Sequence, residues 1–234
     1  DVGNILDSDG YIQWEHNIDE GENMFRSFIL NVRQTDIGGR RFKVVKKADG
    51  YVDLEVTFKR GRGEDGRVKG IKLRVKEHNY DMFDSVGKPV GISFGGHSDT
   101  GNNQEKALKN ALKKGIKTDT PQFIYLDLCA GLDGLDDGLE GLGNVEILTT
   151  LDSSLYTSGK LKDEKGKFKG IDSSEMQPVI FQLWEGLSRE EDYGKMRNRV
   201  KRVINAEDHP YHPNYIFGTE KDYKDVRWAH LDGD

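Results

Sequence analysis

Apolar and polar positions fall into two regimes that meet at Pro89. Before it, residues 41–47, 51–60 and 68–76 alternate Val, Leu, Ile and Phe with charged side chains, the period of strands wetted on one face. Ala48-Asp49-Gly50 separates the first two, and Gly61-Arg62-Gly63-Glu64-Asp65-Gly66 the second and third, both with turn chemistry. The pattern predicts an antiparallel meander. Upstream, residues 1–26 read as irregular apart from a short helix near 20–26, and the apolar run 28–32 as a first strand.

Beyond Pro89 the apolar runs are short and nearly uncharged. Val90-Gly91-Ile92-Ser93-Phe94, Gln122-Phe123-Ile124-Tyr125-Leu126 and residues 145–151 predict buried strands of a parallel sheet. Between the first two, Ala107, Leu108, Ala111 and Leu112 share one face of a helix over 103–114, with lysines around it. Thr100 or Asn102 would cap its start, and Gly115 stands where a helix ends. Strand, helix, strand is a right-handed βαβ unit. Further on, 158–170 reads as a surface loop, 179–183 as another strand and 190–204 as a charged helix. The predicted class is α/β, a mostly parallel sheet flanked by helices with an N-terminal antiparallel β-meander. Residues 1–88 form the β-rich region, which can belong to the same domain, and 89–234 the α/β region.

Composition narrows the function. The 234 residues are 35% hydrophobic and 32% charged, with net charge -6. That balance does not suit a general nucleic-acid binder, which carries a basic face, but it is compatible with cationic substrates. A single cysteine excludes an intrachain disulfide. No apolar run approaches the roughly 18 residues of a membrane span, so no membrane is expected. The opening Asp1-Val2-Gly3-Asn4 has no signal-peptide pattern. A piece of a larger protein is expected, cytoplasmic or secreted.

Chemistry concentrates at the strand ends. Ligands of a parallel sheet bind outside its carboxyl edge. The first strand runs into Gly95-Gly96-His97 and the second into Asp127-Leu128-Cys129. A lone cysteine after an apolar run is usually inert core. An imidazole at the matching strand end changes the expectation, because a thiolate needs a neighbouring base or cation and histidine titrates in the required range. The expected catalytic pair is His97 and Cys129.

These two blocks resemble those of the caspase-like clan of cysteine peptidases, which includes metacaspases, legumains and gingipains. There an apolar strand ends in Gly-His or Asp-His. A second, after a helix, ends in an acid, a small residue and the cysteine. Residues 145–150 followed by Ser153-Ser154-Leu155-Tyr156 are similar to the next strand and loop. The resemblance spans about 70 of the 234 residues. It departs from the clan at Ser98, where glycine usually follows the histidine, and at Leu128, where a small residue usually precedes the cysteine. It implies a caspase-like fold for 89–234 and a thiol endopeptidase in which Cys129 attacks the peptide carbonyl. His97 assists, and the amides of Ser98 and Cys129 form the oxyanion hole. Asp127 matches the acid that binds a basic side chain in metacaspases, so cleavage after Arg or Lys is implied. Asp152 and Ser154 are further pocket candidates. The partner is then a peptide or protein. Self-processing would fall at Arg60, Arg62 or Arg67, or in residues 160–169. A non-catalytic relative that binds peptides at the same edge, and an unrelated α/β enzyme using Cys129 for acyl transfer, are the competing readings.

Metals are expected to be absent. The acidic, glycine-rich stretch 132–141 is where calcium could bind, since that ion takes several oxygens on a flexible loop. Some metacaspases are calcium-activated, but the spacing is not that of an EF-hand. Asp7-Ser8-Asp9-Gly10 looks like the centre of a calcium loop without its first and last ligands. His209-Pro210-Tyr211-His212 reads as a surface turn, and His16, His78 and His230 as structural residues.

Overall fold

The computed structural model describes residues 2–18, 21–77, 85, 88–95, 122–127, 145–150, 177–204 and 215–218. In chain order these form β1 (Tyr11–Ile18), α1 (Gly21–Gln34), β2 (Asp36–Ile37), β3 (Arg40–Arg41), β4 (Lys43–Ala48), β5 (Tyr51–Arg62) and β6 (Val68–Glu77). Then come β7 (Gly91–Gly95), β8 (Gln122–Asp127), β9 (Val145–Thr150), α2 (Gln177–Ser188), α3 (Tyr193–Ile204) and β10 (Tyr215–Gly218). One sheet holds eight strands in the order β10-β9-β8-β7-β1-β6-β5-β4, and β2 and β3 make a separate hairpin. From β9 to β6 all neighbours are parallel. β10 closes one side antiparallel, and β5 and β4 extend the other. The fold is therefore α/β around a mostly parallel sheet with an antiparallel N-terminal part.

The meander follows from its alternation. In β5, Val52, Leu54, Val56 and Phe58 are buried while their neighbours are wetted. Ala48 pairs with Tyr51 across a tight turn that needs the left-handed backbone of Gly50, φ 73°. β6 pairs with β1 as well as β5, so meander and parallel strands share one sheet. The outer strand β4 is guarded by Lys43, Lys46, Lys47 and a register shift between Val44 and Lys46, devices that discourage further strand pairing.

Three expectations are corrected. β1, an inner strand of the parallel block between β7 and β6, lies in the segment expected to be irregular. It is buried on both faces, and Glu15, His16 and Asn17 hide inside it, which breaks the apolar pattern a buried strand usually shows. Residues 28–32 are helical, not a strand, because the buried positions Phe25, Phe28 and Val32 keep the helical period along α1. Residues 179–183 are helical as well: Val179, Ile180, Leu183, Trp184 and Leu187 mark one face of α2. A five-residue apolar run cannot tell strand from buried helix by itself. The charged helix expected over 190–204 forms as α3 from Tyr193. Glu190, at φ 52°, turns the corner, and Asp192 Oδ1 caps by accepting from the Lys195 amide at 2.9 Å. The predicted helix over 103–114 and the loop 158–170 lie outside the described residues.

The main core joins one face of the sheet, through Trp14, Leu54, Leu73, Phe123 and Tyr125, to α1, α2 and α3. Ile92, Phe94, Ile124 and Leu126 are equally buried on β7 and β8.

Candidate functional site

Parallel pairing sends the carboxyl ends of β1, β7 and β8 to one edge of the sheet at the same height. Ile18 pairs with Gly95, and Gly95 with Asp127. β9, parallel to β8, points the same way. Asp127 is the last residue of β8. His97 and Ser98 follow Gly95 by two and three residues, and Cys129 follows Asp127 by two. These three, with Asp152 and Ser154, lie outside the described residues, as do the stretch 132–141, His78, His230 and the His209–His212 turn.

A polar layer lies in the sheet one turn of pleat below that edge. Trp14 Nε1 donates to Ser93 Oγ at 2.7 Å, and Ser93 Oγ is also 2.7 Å from His16 Nδ1. Indole nitrogen can only donate, so the Ser93 hydroxyl accepts from it and is free to give its proton to His16 Nδ1. The His16 ring stacks on Phe28 of α1, centroids 3.9 Å apart. Burial pushes its pKa down to about 3, so it is neutral across the physiological range. A serine–histidine pair at this distance looks like a nucleophile and its base, yet Ser93 is 0% and His16 5% exposed. No substrate reaches them, and the pair instead ties β7 to β1.

The opposite face carries charge. Glu15 is paired with Lys76 Nζ at 2.8 Å and accepts from Ser85 Oγ at 2.9 Å. Beside them, Asn17 Oδ1 is buried without a hydrogen-bond partner among the described residues. The first network ties β1 to β7, the strand that ends at Gly95, and the second ties β1 to β6 and Ser85. No protein-family model and no curated protein matches the chain.

Sequence reading missed the polar layer altogether. Trp14 and Ser93 are 79 residues apart and His16 and Ser93 are 77 apart, so only pairing of β1 with β7 joins them. A serine inside the run Val90–Phe94 was the one visible signal.

The calcium-like loop has another purpose. Asp7 Oδ1 accepts from the amides of Asp9 and Tyr11, and Oδ2 from Gln13 and Lys72. Burial alone would raise its pKa, but the Lys72 and backbone hydrogen bonds hold it below the usual carboxylate value. The loop is a turn that starts β1. Among the described residues no group of three or more His, Cys, Asp or Glu could hold a metal ion, and no helix is long and apolar enough to cross a membrane.

Two of the arginines suggested for self-cleavage are tied down. Arg62 makes a two-pronged pair with Glu185 of α2 at 2.6 and 2.8 Å and a third bond to Ser188. Arg67 pairs with Glu190. Cleavage at either arginine would first require these pairs to break. The Arg62 hydrogen bonds, then Arg189, bring the Glu185 pKa from 4.5 to about 2 against the opposing effect of burial. A lowered folded value means that this stability is complete above pH 4.5 and fades as pH falls towards 2. Glu185→Gln is expected to lose about 1–3 kcal/mol at pH 7, the range for breaking one side of a largely buried pair. Urea unfolding at several pH values should show the gap to wild type narrowing below pH 4.5.

Proposed function

We propose that the chain is a cysteine endopeptidase of caspase-like fold, with His97 and Cys129 as its catalytic pair and a preference for Arg or Lys before the scissile bond. The observation that carries this reading is the Gly95–Asp127 register of two adjacent parallel strands. Each reactive residue follows its strand end in the sequence by the same two positions, which supports a thiol and an imidazole meeting at that edge. Glycines at 95 and 96 allow a substrate backbone to approach closely.

In the reaction, Cys129 attacks the peptide carbonyl as a thiolate and forms an acyl-enzyme. His97 stabilises the thiolate and protonates the leaving amine, and water then releases the acid. The amides of Ser98 and Cys129 stabilise the tetrahedral oxyanion, and loss of one such donor typically costs roughly 100-fold or more in rate. Asp127, with Asp152 and Ser154, provides the charge and polarity that favour a basic side chain. Calcium at 132–141 would act on this edge from the segment that follows Cys129.

The test has two arms. Iodoacetamide should label Cys129 readily at neutral pH, and labelling should slow sharply in His97→Ala. Fluorogenic peptides ending in Arg or Lys should be cut by wild type, with or without calcium. Cys129→Ala should lose about a thousandfold or more of that activity. Slow labelling that ignores His97, with no peptide cut, overturns the proposal in favour of a binding module. Thioester hydrolysis without peptide cleavage would favour acyl transfer instead.

A further inference from the structure

We infer that the cavity between the β2–β3 hairpin, the end of β5 and α2 is a binding site for a compact anion carrying at least two charges, of the phosphate class. The cavity is about 1020 Å³ and open to solvent. It borders the amino edge of the parallel block, where Arg62 pairs with Val68 and Thr57 with Gly70. The proposed catalytic edge lies at the other end of the strands, roughly 20–25 Å away at the usual rise per residue.

Charge at its wall is unbalanced in an acidic protein. The lining carries Lys59, Arg60, Arg62, Arg189 and Arg199 against Asp36 and Glu185. Arg199 is neutralised by Glu191, and Asp36, whose Oδ1 accepts from the Gly39 amide, offsets one of the remaining positive charges without cancelling the excess. Glu185 alone serves both Arg62 and Arg189, leaving one positive charge in surplus, and Arg189 is half exposed. Lys59 and Arg60 are exposed and have no ion-pair partner among the described residues. The wall thus presents unmatched positive charge that an anion would neutralise.

The backbone gives the second, independent reason. Regular pairing of β5 with β6 stops at Thr57 and resumes only at Arg62 opposite Val68. The irregularity lets consecutive residues Lys59, Arg60 and Gly61 all line the cavity, where a regular strand would turn alternate side chains away. Gly61 could not be another residue, since an added Cβ would lie 1.9 Å from the Gly66 carbonyl oxygen. Bulges of this kind are common where a strand re-aims side chains at a ligand. Phosphate suits the donors, because a guanidinium binds its oxygens in two-pronged fashion and lysine adds a point charge.

Calorimetric titration of the full chain with sodium tripolyphosphate near 0.15 M salt is the test. Saturable binding is expected, weakening as salt is raised. Lys59→Glu with Arg60→Glu should weaken it about tenfold or more. Lys43→Glu with Lys47→Glu, the same charge change on β4, should leave it unaltered. Thermal melting of both double variants checks that they fold, and Lys59→Gln with Arg60→Gln provides a milder pair if the reversal unfolds. No saturable binding, or equal weakening by the β4 pair, overturns the site. Neither outcome depends on peptidase activity.

Discussion

Lowering the pH from 7 to 4.5 is expected to weaken the folded chain by roughly 2–3 kcal/mol through His16, at about 1.4 kcal/mol per pH unit. The folded value of about 3 lies below the ordinary 6.5, so the unfolded chain takes up a proton that the folded chain refuses. Stability from this residue is complete above pH 6.5 and declines as pH falls towards 3. Protonation would place a charge between Phe28 and Ser93 in a site closed to water. In the window from 6.5 to 4.5 the paired carboxylates of Glu185 and Glu191 contribute little, because they are held below 4.5, and comparison with a His16 variant separates this residue from the other five histidines. Urea unfolding at pH 7, 6, 5 and 4.5 measures it. His16→Gln keeps an acceptor but does not titrate, so it should be weaker at pH 7 and nearly flat below. If that variant loses stability as steeply as wild type, the acid sensitivity resides elsewhere.

The same residue marks the limit of what the sequence made legible. Strands β7 and β8 could be read because burial on both faces leaves continuous apolar runs, and β5 and β6 because burial on one face leaves alternation. β1 obeys neither pattern. It is a central strand whose Glu15, His16 and Asn17 are satisfied largely by β6, β7 and Ser85, partners distant in sequence. Composition cannot announce such partners. α1 and α2 were misread in part because 28–32 and 179–183 are too short to carry a period, and their helical faces emerge only when Phe25 and Trp184 are included. At the edge, the spacing of His97 and Cys129 from their apolar runs was visible. That the two strands are immediate neighbours, with Gly95 opposite Asp127, is a matter of sheet order and came only with the fold. The basic cavity was invisible for the same reason: Lys59 and Arg60 looked like a solvated strand face until the irregular pairing and α2 placed them around one hollow.

Trp14→Ala is expected to cost about 3–5 kcal/mol, the range for removing a large buried aromatic side chain. Trp14 is 2% exposed and joins four elements. Its ring lies against Phe123 of β8 at 5.7 Å and edge-on to Trp184 of α2 at 6.1 Å. Its Nε1 donates to Ser93 of β7. Gly91, its register partner on β7, leaves room for the indole, since an added Cβ there would sit 2.2 Å from Trp14 Cε3. The ring cannot swing aside, because Phe123 and Trp184 flank it. Gly91→Ala should therefore lose about 1–3 kcal/mol by overpacking. Trp14→Phe, which keeps most of the volume but not the Ser93 hydrogen bond, should fall between wild type and alanine. The two sites touch, so their effects should not add. Gly91→Ala should be harmful beside tryptophan and nearly harmless once Trp14 is alanine. Urea unfolding of the two single variants and the double variant decides it. Additive losses would mean that the indole does not rest on Gly91, and that the packing assigned to the strands leading to His97 and Cys129 is wrong.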